Sequence, residues 1–159
     1  MSDETLALNT VLRRYADAIA EFVREDAVLG SYGGLTVVVE DRANIDTEIS
    51  RAIAKATGGV AVLVSVTGFR RRANSGRALT GTIDFEVSVH ENPLFNRKGQ
   101  FVLTAQCVAE RLAALLHWVR LDGFDGRLLF DDLVRADDNA ANVVVAKFHA
   151  EQTLRGEEE

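Results

Sequence analysis

Arg70, Arg71, Arg72 and Arg77 crowd into one stretch, RRRANSGR, and guanidinium groups at that density grip carboxylates or phosphates through forked N–H pairs. Phe69 is the one aromatic residue beside them. Nucleic-acid binding by this cluster would need stacking platforms or a recognition helix, which a single ring does not supply. Further on, His90, Glu91 and Arg97 could converge at a strand end on a ligand. As strand neighbours, however, His90 and Glu91 face opposite ways and cannot act on one substrate atom.

The remaining chemistry-bearing residues form no reactive set. Asp131-Asp132 and Asp137-Asp138 offer oxygen ligands but lack the one-three-five spacing and closing Glu of a calcium loop, so they read as turn-forming residues of a solvated hairpin. His90, His117 and His149 are far apart in sequence, with no HExxH among them. His117, beside Trp118 at a helix end, suits either a C-terminal cation or a satisfied packing residue. Cys107, the single cysteine, falls in an apolar helical pattern and reads as a small buried hydrophobe. Ser75-Gly76 is no nucleophile elbow, and GGVAVLVSVTG has neither GxxxxGK[ST] nor GxGxxG spacing. The expectation is a chain with no catalytic residue, metal or cofactor.

The elements that would position these residues follow from periodicity. Glu4 to Arg24 carries Leu8, Val11, Leu12, Tyr15, Ile19, Phe22 and Val23 at helical spacing. Leu35 to Glu40, LTVVVE, suits a strand buried on both faces. A second helix is expected from Asn44 or Asp46 to about Thr57, stopped by Gly58-Gly59. Val60 to Phe69 and Leu79 to His90 read as strands, the second alternating Ile83, Phe85, Val87 and Val89 against Thr82, Asp84, Glu86 and Ser88. The arginine-rich connection between them is too long and polar for a tight turn, so a protruding mobile arm is expected. Phe101 to Val119 is the strongest helix, and Arg127 to Val134 with Asn142 to Phe148 form a second strand pair around ADDNAA. The predicted fold is α+β: a single mixed or antiparallel sheet packed with helices, in the order α-β-α-β-β-α-β-β. One domain is expected over 1–159, with a lead helix and loop (1–34), a core (35–150) and a frayed acidic tail (151–159).

Composition agrees with that size. Hydrophobic residues are 47% and charged residues 26% of 159, ordinary globular values, and no apolar run approaches the roughly 20 residues of a membrane span. MSDETLALNT has no basic and apolar regions of a secretory signal, which points to the cytoplasm. A net charge of −6 opposes broad phosphate binding and suits a channel wall past which DNA slides.

Val87 to Leu116, VSVHENPLFNRKGQFVLTAQCVAERLAALL, runs from a strand through Glu-Asn-Pro and Asn-Arg into an alanine-rich amphipathic helix opening at Thr104-Ala105. This stretch resembles the small tail-terminator and tail-completion proteins of long-tailed phages and prophages, loosely over Leu35 to Phe148. Pro93 would stop ladder pairing while Asn92 and Asn96 turn the chain; Arg97 could then bind an acidic partner, or the turn could serve the fold alone. The resemblance implies a virion structural protein without catalysis, a hexameric ring at the head-proximal end of a tail tube. Its partners would be further copies of itself, the tail-tube protein and head–tail connector or neck proteins. It would assemble in the host cytoplasm and end in the virion tail. Arg70, Arg71, Arg72, Arg77, Glu91 and Arg97 are the candidate intersubunit contacts, and no sequence-specific nucleic acid or membrane partner is expected. Two other readings stay open: a neck, head-completion or baseplate-associated phage protein, and a small ligand-binding domain or enzyme using His90, Glu91 and Arg97.

Overall fold

The computed structural model describes residues 10–26, 29, 35–39, 60–73, 76–91, 104–138 and 141–154. The expected second helix (44–57), the turn carrying Asn92, Pro93, Asn96 and Arg97, and the tail from 155 lie outside the described residues.

Helix α1, Val11–Arg24, starts where the Thr10 hydroxyl accepts the Arg13 N–H at 3.2 Å, satisfying one of the donors that a helix start leaves orphaned. Its buried residues Tyr15, Ala16, Ile19, Ala20 and Val23 recur at three- and four-residue steps and make one apolar stripe. The predicted extension back to Glu4 falls outside the described residues.

Five strands form one mixed sheet: β1 Leu35–Val39, β2 Val60–Arg71, β3 Leu79–Glu91, β4 Leu129–Asp138 and β5 Ala141–Leu154, in the spatial order β1-β2-β3-β5-β4. Only β1–β2 is parallel; the other three pairings are antiparallel. Helix α2, Ala105–Leu116, lies between β3 and β4 in sequence. The fold is α+β, as the periodicities predicted. Contrary to expectation, β1 is not buried on both faces: Thr36 to Val39 are half-buried, because β1 is an edge strand.

Among the described residues, α1 and α2 pack on one face of the sheet. Val62, Val64, Ile83, Phe85, Val87, Val89, Ala146, Phe148 and Ala150 join the helical stripes in a single apolar core. Register sets its centre: Phe85 pairs with Phe148 across β3 and β5, and their rings stack with centroids 5.0 Å apart. Tyr15 meets Phe85 edge-on at 5.7 Å, the geometry favoured by the ring quadrupole. The opposite face carries Thr82, Asp84, Glu86, Ser88 and His90, all half-buried. A second tie joins the helical layer, where Arg111 of α2 grips Asp26 through N–H bonds of 3.3 and 2.9 Å. These bonds push the Arg111 pKa still higher.

Several local expectations change. The helix predicted over Phe101 to Val119 ends at Leu116, and Trp118 takes φ 72, a left-handed backbone that halts helical hydrogen bonding. Cys107 is exposed, not buried. Strands β4 and β5 run past the predicted ends at 134 and 148, so Asp137 and Asp138 lie in a strand rather than in a turn, and Asp131 and Asp132 lie in the strand expected over 127–134. Residues 151–154 pair with β3 as far as Leu79↔Leu154 instead of fraying.

Candidate interaction surface

The arginine-rich connection is a closed hairpin, not a free arm. β2 and β3 pair as far as Arg71↔Gly81, and the Arg72 N–H reaches the Thr80 carbonyl at 2.8 Å. Arg70 donates to both oxygens of Asp84, at 3.0 and 3.2 Å, and Arg72 pairs with Glu151 of β5. Arg71 donates to the Gly76 carbonyl at the tip, where φ 62 favours glycine. Arg77 is exposed and has no ion pair among the described residues.

The hairpin does not stand alone at this end of the sheet. The loop 117–128 folds onto the end of β5, where Gln152 accepts the Asp125 N–H at 2.9 Å and Asp125 accepts the Thr153 N–H at 3.1 Å. A Cβ on Gly126 would lie 2.6 Å from the Glu151 carbonyl, so the loop touches the very residue that Arg72 holds. Trp118 in this loop is 59% exposed. Its N–H binds the Leu128 carbonyl at 2.7 Å, and Arg127 donates to its carbonyl at 2.8 Å while lying 5.2 Å above the indole ring. Arg120 donates to the Phe124 carbonyl. Leu79, 49% exposed, starts β3 at the same end.

Glu91 sits at the far end of β3, roughly 40 Å from Leu79 at the usual rise of about 3.4 Å per residue. It is buried, and its carboxylate accepts the Ala105 N–H at 3.1 Å. It lines a cleft of about 440 Å³ with Thr104, Gln106, Arg135 and Asn142. His90 instead meets Ser88 at 3.0 Å. The six candidate contact residues therefore do not form one site: four arginines share the hairpin end, Glu91 is internal at the other, and Arg97 lies outside the described residues.

Asp131 and His149 make a 2.6 Å pair, but among the described residues no three His, Cys, Asp or Glu side chains are grouped to hold a metal. His117 is exposed and accepts the Phe130 N–H through Nδ1 at 3.1 Å, which ties the end of α2 to β4. Sequence reasoning missed Trp118, Arg120 and Arg127 as surface features. The signal within reach was the exposed-loop composition of LDGFDGR, which separates the core helix from β4.

No family model and no curated protein matches the chain. Among solved structures, a chain described as "Virion of native gene transfer agent (GTA) particle" superposes with a TM-score of 0.56 at 17% identity, covering 87% of this chain and 93% of that one. A second solved chain, 16% identical over 99% of both, gives a TM-score of 0.48. At such identities the first likeness is one of fold.

Proposed function

We propose that this chain is a non-enzymatic, single-domain structural protein of a phage-type virion, forming a ring of the tail-terminator kind. In this reading six copies cap the tail tube after assembly in the host cytoplasm and offer a surface to head–tail connector or neck proteins. The observation that carries it is the shared fold with a chain of a gene transfer agent virion over most of both lengths. The architecture suits the role. Among the described residues the sheet has two edges, β1 and β4, and such edges carry backbone groups that a neighbouring strand can pair with; Arg24 reaches the Val37 carbonyl on β1.

Light scattering across a concentration series, with and without the tail-tube protein encoded alongside, tests the assignment. A mass six times the 17.4 kDa chain, or a ring that appears on the tube, is expected. A monomer that ignores tube protein at every concentration removes the reading.

A further inference from the structure

Among the described residues the hairpin end and the loop 117–128 carry six arginines, Arg70, Arg71, Arg72, Arg77, Arg120 and Arg127, against four carboxylates, Asp84, Asp122, Asp125 and Glu151, and so keep an excess of positive charge. Arg70 and Arg72 meet carboxylates, but Arg71, Arg120 and Arg127 bond backbone carbonyls and Arg77 bonds nothing among the described residues. Carbonyl bonds leave the full charge on each guanidinium. The chain nonetheless totals −6, so its remaining surface is more acidic than the net charge states. Within this basic rim stand the two exposed large hydrophobic side chains found among the described residues, Trp118 and Leu79. The Trp118 backbone is held there by the Leu128 carbonyl and the Arg127 guanidinium, and Arg127 also lies over the indole, which restrains the ring before docking. An exposed indole with an arginine stacked on it matches the composition of a protein-binding hot spot.

We propose that this end docks on an acidic side of a second copy of the same chain, with Trp118 as the anchor and Arg71, Arg77, Arg120 and Arg127 as the charged rim. Two such ends repel each other, so this end meets a different surface of its neighbour, and in the ring reading that contact is head-to-tail, the class that closes into rings when the rotation permits. Nucleic acid is the poorer occupant, because phosphate binding opposes the chain's overall charge. The proposal rests on the ring reading and specifies which surface makes the ring.

Trp118 is the single tryptophan, so its fluorescence reports the contact directly. The experiment follows emission and solution mass together over a concentration series, for the wild type, R77E and W118A (mass only for the last), with circular dichroism to verify folding. Emission should move to the blue as mass rises, and R77E and W118A should weaken association by roughly tenfold or more, with high salt acting in the same direction as R77E. A ring whose tryptophan emission stays unshifted and that W118A still forms overturns the inference while leaving the ring reading intact. Blue-shifted head-to-tail oligomers that are not closed rings do the reverse. A chain that stays monomeric alone, with emission that shifts only on adding tube protein or a DNA duplex, assigns the surface to that partner and overturns the proposal.

Discussion

The carboxylate of Glu91, the last residue of β3, accepts the backbone N–H of Ala105, the first residue of α2, across 3.1 Å. The Thr104 hydroxyl accepts the Cys107 N–H at 3.2 Å in the same turn. Together they satisfy two of the donors that the start of α2 leaves open, and the negative charge faces the positive end of the helix dipole. Replacing Glu91 with Ala should therefore cost about 2–3 kcal/mol, Glu91→Gln distinctly less because an acceptor remains, and Thr104→Ala about 1 kcal/mol. Urea unfolding with an unchanged slope is the measurement; an E91A variant as stable as the wild type would show that the bond contributes nothing.

Tyr15 is buried, and its hydroxyl has no hydrogen-bond partner among the described residues. Tyr15→Phe should leave stability unchanged or raise it by about 1 kcal/mol, since it removes an unsatisfied polar group. Burial also pushes the Tyr15 phenol far above its ordinary pKa. In the unfolded chain it ionises near pH 10, whereas in the folded chain it keeps its proton. Stability is thus complete below that pH and falls as pH rises through it, by up to about 1.4 kcal/mol per pH unit. Urea midpoints between pH 8 and 11 should fall less steeply for Y15F than for the wild type, and parallel curves would contradict the assignment.

Gly81 pairs with Arg71 across β2 and β3, and a Cβ there would sit 2.1 Å from the Arg70 carbonyl oxygen. Gly81→Ala must push the strands apart at the Arg71 pairing and should cost about 3 kcal/mol or more. Gly68, beside the β2 bulge, meets nothing within 4 Å, and Gly68→Ala should change stability by less than about 1 kcal/mol. Thermal unfolding of the pair checks the contrast; equal effects would refute it.

Cys107 is the single thiol and is exposed on α2. A thiol-reactive dye should label one equivalent of native protein without denaturant, at a rate within a few-fold of the unfolded chain. Labelling that waits for urea would mean that the thiol is covered.

Local periodicity carried most of the fold. The alternation in β3 and the stripe in α1 report which side chains meet the core, so Ile83, Phe85, Val87, Val89 and Ile19 were legible as buried. Cys107 was misplaced because its residue type was weighed above its position: the buried residues of α2 are 105, 108, 109, 112 and 116, and 107 falls on the opposite side. The arginines were misjudged for another reason. Arg70 and Arg72 extend the hairpin because their carboxylates wait at Asp84 and Glu151, and pairing across such sequence distances leaves no local trace. Gln152 extends β5 in the same way, through Asp125. The left-handed Trp118 had no signal either, since nothing in its neighbours demands that backbone.

The strand order has a consequence during synthesis. β3 is flanked by β2, which precedes it closely, and by β5, which ends about 60 residues later. At roughly 5–20 residues per second, a ribosome needs on the order of 3–13 s to complete that stretch. For those seconds the nascent hairpin shows a bare thirteen-residue edge with Phe85 uncovered by its stacking partner, a template for joining the wrong chain. In a cell producing many copies at once, yield should depend on chaperone capacity and on slowed translation more than on the stability of the finished protein.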